Sequence, residues 1–246
     1  MYGTCVDETL SQAWDRNAGD WVRWARTPGY DCMYTSFHRE AFLSLLPPPG
    51  RRTIDVGCGE GRLTRDLTRL GHRVVALDRS PALTRAAGEA GDIELVLLGD
   101  ACALPLGNAT ADLAVAFMAL QDMDDMAGAV REIGRVLTPG GSLCCAVVHP
   151  INAAGAFATS DGDAPFVIDG SYFAGRRYAF TADRGDLTMT FHQHQRCLAD
   201  YFNAFEQAGM AAVSVREPVP GDGGRWDRVP LFLHVRAVKR EGPGHP

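Results

Sequence analysis

Lysine is nearly absent from this chain of 246 residues. Lys239 is the single lysine among 24 basic residues, so chemistry that needs a buried lysine amine, such as Schiff base formation, has almost no candidate. The seven cysteines are odd in number and include no C-x-x-C pair. This pattern argues against a disulfide framework and is typical of free thiols in a reducing compartment.

Long apolar runs and a basic charge balance are also missing. No apolar segment approaches the roughly 18 to 20 residues that a membrane span needs. The N-terminal residues show no basic region followed by an apolar run. The net charge of −6 is atypical of proteins that grip nucleic acid backbones. We therefore expect a cytoplasmic protein that has neither a membrane nor a nucleic acid as its partner.

Short β-branched runs alternate with helix-periodic segments between residues 52 and 148. This alternation is typical of a parallel sheet with helices on both faces. An apolar stripe from Met126 to Leu137 predicts a helix that ends at a breaker cluster, residues 138–141, which turns the chain into the fifth strand. The predicted strands are 53–56, 74–77, 93–98, 113–117 and 143–148, with two more at 211–215 and 231–238.

Two segments fall outside this alternation. Residues 1–46 have helical periodicity and many aromatic side chains, and the sequence PPPG at 47–50 closes them off. Residues 150–196 form an insertion rich in Gly, Ala and Asp that is far longer than an ordinary connection. We expect such a segment to be functional or partly mobile rather than a plain loop.

A Gly-rich turn, residues 55–61 (DVGCGEG), follows the first predicted strand and precedes a helix. Glycines there let a ligand approach backbone amides at a helix N-terminus. Asp78 closes the second strand about 20 residues later, where a carboxylate can accept hydrogen bonds from both hydroxyls of a ribose. Together these residues indicate a nucleoside-containing cofactor without choosing which one.

Three features distinguish between nucleoside cofactors. A carboxylate at Glu60 would repel a pyrophosphate but would tolerate the positive sulfonium of S-adenosylmethionine (SAM). Asp100 follows the third strand, where it can accept a hydrogen bond from an adenine amino group. The Tyr-x-x-x-Lys pair of short-chain dehydrogenases is excluded, because the residue four before Lys239 is Val235. These features favour SAM over NAD.

The turn at 55–61, Asp78, Asp100 and the run REIGRVLTPGG at 131–141 have the order and separations of class I SAM-dependent methyltransferases. The chain resembles that family over about half its length. The resemblance implies an α/β, Rossmann-like fold: a seven-stranded, mostly parallel sheet with a reversed final hairpin and helices on both faces, plus an N-terminal helical lid and an insertion after strand five. It implies one domain, 1–246, made of a lid (1–50), a SAM-binding core (51–149), a substrate-cap insertion (150–196) and the C-terminal part of the core (197–240).

The resemblance also implies which residues contact the cofactor. SAM would lie across the ends of the first, second and fourth strands. Gly57 and Gly59 would pass under its methionine part, Asp78 would hold the ribose, and Asp100 with Ala101 would meet the adenine. The implied cofactor residues are Asp55, Gly57, Gly59, Asp78, Arg79, Asp100, Ala101 and Met118.

Methyl transfer from a sulfonium is an in-line displacement, so the protein aligns the acceptor and supplies a base when the acceptor carries a proton. His149 is the best candidate base, because it ends the fifth strand at the ligand-binding edge of the sheet. A histidine hydrogen-bonded at a strand exit is the alternative interpretation. His192, His194 and Arg196 would share one face of an extended chain and could form a polar wall for the acceptor. No metal is expected, since no third ligand stands near the two histidines.

The lid and the insertion would enclose the transferred methyl group and exclude water. Their aromatic side chains, with Tyr34 and Tyr172 as substrate-binding candidates, favour an apolar or aromatic small-molecule acceptor. Arg176, Arg177 and Arg184 could bind an acidic group on that acceptor. A natural-product intermediate and a prenyl diphosphate are therefore both options.

Two other functions remain open from the sequence. The protein could bind SAM or its product, S-adenosylhomocysteine (SAH), only as a sensor or scaffold. It could also be an NAD-dependent oxidoreductase, a hypothesis that Glu60 weakens. The acceptor atom and the oligomeric state are not determined.

Overall fold

The structure, a computed structural model, describes residues 8–241. The first seven residues of the expected lid lie outside the described residues. The strands in chain order are β1 (Thr53–Val56), β2 (Val74–Asp78), β3 (Leu95–Leu98), β4 (Ala111–Phe117), β5 (Leu137–Val148), β6 (Gly155–Phe157), β7 (Phe166–Ile168), β8 (Arg176–Arg184), β9 (Leu187–Gln195), β10 (Met210–Arg216) and β11 (Phe232–Lys239).

The α-helices in chain order are α1 (Leu10–Arg16), α2 (Ala18–Arg26), α3 (Arg39–Leu43), α4 (Arg62–Arg69), α5 (Pro81–Glu89), α6 (Met126–Val136), α7 (Pro150–Ala153) and α8 (Leu198–Gln207). A π-helical turn at Tyr34–His38 leads into α3. Shorter 3-10 turns lie at Leu120–Asp122 and Arg225–Asp227.

Seven strands form the central sheet in the order β10-β11-β5-β4-β1-β2-β3. The strands β3, β2, β1, β4 and β5 are all parallel. β11 runs antiparallel to both β5 and β10, so the last two strands form the reversed hairpin that the resemblance implies. All seven strands expected from the sequence are present, and the α/β class is confirmed.

The two faces of the sheet bury separate apolar clusters because successive strand residues point to opposite sides. On one face Ile54 and Val56 of β1 pack with Ile133 of α6 and Phe205 of α8. On the other face α3, α4 and the neighbouring strands share a core whose fully buried members include Phe42, Leu67 and Leu113. Helices therefore cover both faces, as expected.

The breaker cluster at residues 138–141 does not separate the helix from the fifth strand. α6 ends at Val136, and β5 begins with Leu137, which pairs with Ala111 of β4. The next pair is Leu113 with Ser142, so residues 138–141 form a bulge inside the strand. The positive φ of 77° at Gly140 allows this bulge, where the sequence alone suggests a turn.

The insertion at 150–196 is ordered into two hairpins. β6 pairs with β7, and β8 pairs with β9 over nine residue pairs from Arg176–Gln195 to Arg184–Leu187. α1 and α2 of the lid pack against β9 and α5. The lid and the longer hairpin thus meet above the carboxyl ends of the parallel strands.

Candidate functional site

A cavity of about 790 Å³ lies at the carboxyl ends of the parallel strands. This is the edge where open α/β sheets bind ligands, and the volume is within the range of small-molecule sites. Residues from the lid, the Gly-rich turn, the ends of β2 to β5 and the β8–β9 hairpin line it. One enclosure therefore joins the expected cofactor residues to the lid and the insertion.

The Gly-rich turn needs its glycines for two physical reasons. Gly57 and Gly59 have φ values of 74° and 58°, which side-chain-bearing residues rarely adopt. A Cβ on Gly57 would lie 2.6 Å from the Cβ of Ala119, and one on Gly59 would lie 3.2 Å from Nε1 of Trp21. The turn thus fits closely between the strand-four loop and the lid, and both glycines line the cavity.

Asp78 lies at the end of β2 and stabilises the turn. Its Oδ2 accepts a hydrogen bond from the Gly59 amide at 2.8 Å, and its Oδ1 accepts one from the Ser80 amide at 2.9 Å. Burial raises the pKa of Asp78 despite these two bonds. The carboxylate also lines the cavity, so it is available to a ligand as well as to the backbone.

The other expected cofactor residues lie around the same end of the cavity. Asp55 is buried on the α4 side of β1, and its Oδ2 accepts a hydrogen bond from the Thr64 hydroxyl at 2.6 Å. Burial raises the pKa of Asp55 to about 7. Nη1 of Arg79 lies 3.6 Å from Oδ2 of Asp100. The implied residues that line the cavity are Asp55, Gly57, Gly59, Asp78, Arg79, Asp100, Ala101 and Met118.

Glu60 has a different environment from the one expected. Its carboxylate is buried between Arg26 of α2, at 2.7 Å, and Arg65 of α4, at 2.9 Å. Two guanidinium groups compensate the negative charge, so Glu60 ties the Gly-rich turn to the lid. Electrostatic repulsion of a pyrophosphate by Glu60 is correspondingly weaker than the sequence suggests.

The structure does not place His149 at the cavity. The side chain is 1% exposed, and its Nδ1 accepts a hydrogen bond from the Ile151 amide at 3.1 Å as the N-cap of α7. Nε2 lies 2.9 Å from Oε1 of Glu217. Burial lowers the pKa of His149, and Glu217 opposes this effect. The alternative interpretation, a hydrogen-bonded histidine at a strand exit, is the one the geometry supports.

The histidines of β9 point away from the cavity. Phe191 and Gln193 line it, and His192 and His194 therefore occupy the opposite face of the strand. Arg196 is buried, and its guanidinium donates hydrogen bonds to backbone carbonyls of residues 120–124. His192, His194 and Arg196 thus share one face of the chain, as expected, but this face does not line the cavity.

The tyrosines proposed for substrate binding also have structural partners. The Tyr34 hydroxyl donates to Oδ2 of Asp66 at 2.8 Å, and the Arg62 guanidinium stacks over its ring at 3.9 Å. The Tyr172 hydroxyl accepts a hydrogen bond from the Leu198 amide at 2.9 Å. Neither residue lines the cavity.

Two of the three candidate arginines lie outside the cavity. Nε of Arg176 donates to Oε1 of Gln195 at 2.9 Å. Arg177 forms an ion pair with Asp124 at 2.7 Å. Arg184 does line the cavity, at an exposed position with its guanidinium 5.8 Å from the Trp24 ring.

The cavity is also lined by polar residues that no sequence motif marks, among them His38, Asp122 and Gln193. Nε2 of His38 and Oδ1 of Asp122 are buried and have no hydrogen-bond partner among the described residues. Burial raises the pKa of Asp122 well above its usual range. Asp122 follows the fourth strand, a position that could have drawn attention, whereas no sequence signal marks the π-helical turn that holds His38.

The comparisons with known proteins agree with this geometry. Residues 54–145 match a family model described as a methyltransferase domain. Residues 54–145 therefore carry a methyltransferase domain, and the chain is similar to the class I SAM-dependent methyltransferases. SAM is the cofactor that these comparisons support, and the turn, Asp78 and Asp100 line the cavity. The assignment disfavours the NAD-dependent alternative.

Particular relatives show how far the similarity of this chain extends. The malonyl-[acyl-carrier protein] O-methyltransferase of Pectobacterium atrosepticum is 32% identical over 145 residues, 57% of this chain and 53% of the relative. The matches span about half the length of the first curated relatives. A SAM-dependent methyltransferase from Mesorhizobium loti is 27% identical with a TM-score of 0.67, covering 81% of this chain and 96% of that one.

A more distant structure shows the fold alone. It is the 1,6-didemethyltoxoflavin-N1-methyltransferase of Burkholderia thailandensis with bound 1,6-didemethyltoxoflavin and SAH, which is 18% identical. The TM-score is 0.61, and the match covers 97% of this chain and 93% of that one.

Two observations concern groups other than SAM. In the described residues 8–241, no three His, Cys, Asp or Glu side chains come together as metal ligands would. Nor does that part of the chain contain a helix with the length and apolar character needed to cross a bilayer.

Proposed function

We propose that this protein transfers the methyl group of SAM to a small apolar or aromatic molecule. One observation carries the proposal. A single cavity runs from the Gly-rich turn and Asp78 to the aromatic side chains of Phe180, Phe191 and Phe232. A cofactor and an acceptor can therefore occupy the same enclosure, as an in-line transfer requires.

The chain's own residues would bind SAM and enclose the reaction. SAM, when bound, supplies an electrophilic methyl group on a positively charged sulfur. Gly57 and Gly59 permit close approach to the backbone, and Asp78 can accept hydrogen bonds from the ribose hydroxyls. Trp14 and Trp21 of the lid pack edge-to-face at 5.8 Å over the cavity, where they can exclude water.

The cavity favours an apolar or aromatic acceptor over a prenyl diphosphate. A diphosphate needs several cationic or amide donors, but Arg176 and Arg177 are engaged by other side chains outside the cavity. Arg184 is the candidate arginine that remains for an acidic group, and it is exposed at the rim. A natural-product intermediate with an aromatic ring fits this environment.

The proposal also covers the location, the domain organisation and the partner of the protein. The six cysteines among the described residues are unpaired, which supports a cytoplasmic, reducing location. The shared cavity supports one domain that includes both the lid and the insertion. The acidic net charge of −6 supports a small-molecule partner rather than a nucleic acid.

The test is calorimetric titration of the purified protein with SAM, SAH and NAD, followed by a screen of small molecules with methyl-labelled SAM. We expect SAM and SAH to bind, NAD to fail, and label to move to an aromatic acceptor. Binding of SAM and SAH with no transfer to any acceptor would favour the sensor or scaffold alternative. Binding of NAD alone would contradict the proposal.

Replacement of Asp78 tests the cofactor assignment. Asp78→Asn should weaken SAM binding by at least about tenfold, since a hydrogen bond to a charged group is worth roughly 1.5–3 kcal/mol. Asp112→Asn is the matched control, because the Asp112 carboxylate also accepts a backbone hydrogen bond, from the Arg52 amide at 3.0 Å, and does not line the cavity. Equal SAM affinities in the two variants would remove the ribose assignment.

A further inference from the structure

Two groups of mainly aromatic side chains line the cavity, and the space they border is here called the acceptor chamber. The hairpin wall consists of Tyr178, Phe180, Phe191 and Gln193 on the inner face of β8 and β9. Phe180 and Phe191 stack with ring centroids 4.9 Å apart and an interplanar angle of 13°.

The ring wall of the acceptor chamber consists of His38, Phe117 and Phe232. The imidazole of His38 stacks on Phe232 at 3.7 Å with an interplanar angle of 7°, and its centroid is 4.6 Å from that of Phe117. Flat faces on both walls suit a planar aromatic molecule better than a flexible or branched one.

Charge is distributed unevenly between the two ends of the cavity. Asp55 and Asp78 lie within the last two residues of β1 and β2, and Asp100 and Asp122 follow β3 and β4, at the cofactor end. The residues of the hairpin wall and the ring wall carry no carboxylate. Of the arginines that line the cavity, Arg62 near His38 forms an ion pair with Asp31, and Arg184 of β8 is exposed. Because burying an unpaired charge is costly, the acceptor chamber favours an uncharged molecule.

His38 supplies a proton acceptor in this apolar chamber. The side chain is 3% exposed, and Nε2 has no hydrogen-bond partner among the described residues. Burial, and then the nearby His234 and Arg62, lower the pKa of His38 well below its usual range. The imidazole is therefore neutral at physiological pH, and a neutral imidazole carries one nitrogen that can accept a proton.

Gln193 supplies a hydrogen-bond donor on the hairpin wall. It is 3% exposed, and its Oε1 accepts a hydrogen bond from the Tyr178 hydroxyl at 2.6 Å. This bond fixes the orientation of the amide, so its NH₂ group is left as the polar group that a ligand can meet. A donor and a neutral base facing one chamber are suited to an aromatic ring that carries oxygen substituents.

We infer that the acceptor is an uncharged aromatic hydroxyl compound, whose hydroxyl proton passes to His38 and whose second oxygen accepts a hydrogen bond from Gln193. The inference rests on the proposed function. In the transfer the acceptor O–H bond breaks and its proton moves to the imidazole. The new O–CH₃ bond forms as the sulfur–methyl bond breaks, and the electron pair stays on the sulfur of SAH. The imidazolium then releases its proton to solvent.

The first experiment measures binding, so it does not depend on methyl transfer. SAH-saturated protein is titrated calorimetrically with naphthol, naphthoate and naphthylmethylammonium at neutral pH. We expect naphthol to bind at least about tenfold more tightly than either charged probe, a difference of about 1.4 kcal/mol. Tighter binding of a charged probe, or binding of none of the three, would overturn the inference.

Variants then separate the two polar residues from the aromatic walls. His38→Phe keeps a stacked ring but removes the nitrogens, and Gln193→Leu removes the amide. Each should weaken naphthol binding by about three- to tenfold, consistent with the loss of one hydrogen bond. His192→Phe, which makes the same change on the outer face of β9, is the matched control. Unchanged naphthol affinity in both chamber variants would contradict the assignment.

Kinetics with phenols of graded acidity test the role of His38 as a base. His38→Phe should lower kcat by about a hundredfold for phenols that are protonated at the assay pH, because general base catalysis contributes about that much. Phenols that are already ionised should be nearly unaffected, and the KM for SAM should not change. An equal loss for all phenols would assign His38 a purely structural role. Failure of SAM binding or of all methyl transfer would instead refute the proposed function, while the naphthol titration still decides the nature of the chamber.

Discussion

The carboxyl group of Asp55 is buried at a position close to the Gly-rich turn. It must stay at the end of β1 to shape the Gly-rich turn, yet its burial there raises its pKa from 3.8 to about 7. The Thr64 hydroxyl bond at 2.6 Å offsets only part of the cost of the buried charge. An ionised Asp55 at neutral pH therefore destabilises the protein without ligand, and a cationic group near it would relieve that cost.

Asp55→Asn should stabilise the protein without ligand at alkaline pH. The folded-state pKa lies above the unfolded value, so the folded wild type binds more protons between about pH 4 and pH 7 and loses stability as the pH rises through that window. Well above pH 7 the difference should approach on the order of 4 kcal/mol, at about 1.4 kcal/mol per pKa unit. Below about pH 4 it should vanish. Urea unfolding at a series of pH values measures it.

Asp66→Asn is the control with the opposite sign. Burial alone would raise the pKa of Asp66, but the bonds from Arg39 and Tyr34 outweigh it, and the net shift is downward. This substitution should destabilise the protein at neutral pH. If both variants changed stability in the same direction at pH 8, burial would not be what distinguishes Asp55.

The sequence predicts which side chains line the cavity where a motif places them at a strand end. It does not predict this where tertiary contacts determine the direction of the side chain. The cofactor residues from Asp55 to Asp100 lie at or next to the ends of strands, so the sequence predicts their location. The alternation of β9 shows that His192 and His194 share a face, but only packing against Trp14 and Trp24 turns Phe191 inward. His149 follows an apolar strand and His38 does not, yet His38 is the one of the two that lines the cavity.

At the scale of elements, α2 is held to the Gly-rich turn by a charged contact. Arg26 of α2 reaches Glu60 at 2.7 Å and also donates to the Ala86 carbonyl of α5 at 2.7 Å. Trp21 of the same helix lies over Gly59. These contacts hold the lid to the Gly-rich turn. Weakening them should therefore expose the cofactor end of the cavity.

Arg26→Ala should raise the Kd for SAM by about three- to tenfold. Glu60 keeps Arg65 as a partner, so the loss should be about 1 kcal/mol rather than that of an unpaired buried charge. Arg23→Ala on the same helix is the matched control, because Arg23 pairs with the exposed Asp186 and does not touch the turn. Calorimetric titration of both variants with SAM measures the difference. Equal affinities would show that Glu60 does not couple the lid to the cofactor.

The sequence predicts helices and strands whose apolar residues recur with a clear period. It does not predict elements whose position depends on contacts with distant parts of the chain. The seven strands of the sheet alternate with helices, so their order in the chain was visible. The β8–β9 hairpin has no such signal, because its register depends on contacts with the lid across more than 100 residues, such as Asn17 Nδ2 to the Thr190 carbonyl at 3.1 Å. The bulge at residues 138–141 was likewise hidden, since Pro and Gly residues predict a turn as readily as a bulge.

At the scale of the whole molecule, buried acids are concentrated at one end of the cavity. Burial raises the pKa values of Asp55, Asp78 and Asp122, and Asp78 raises those of its two neighbours further. SAM carries a positive sulfonium and a positive ammonium group, whereas SAH carries only the ammonium. A cation at this end favours the ionised carboxylates, so binding should lower their pKa values and release protons.

Proton release on SAM binding is therefore expected near pH 6, about one unit below the pKa of Asp55. It is measured by titrating SAM in buffers of different ionisation enthalpy, where the apparent binding enthalpy changes with the buffer in proportion to the protons released. SAH should release fewer protons than SAM, because it lacks the sulfonium charge. Asp55→Asn should reduce the release for both ligands. An apparent enthalpy that is the same in every buffer would mean that the buried acids remain protonated around the cofactor, and that hydrogen bonding rather than charge holds SAM in place.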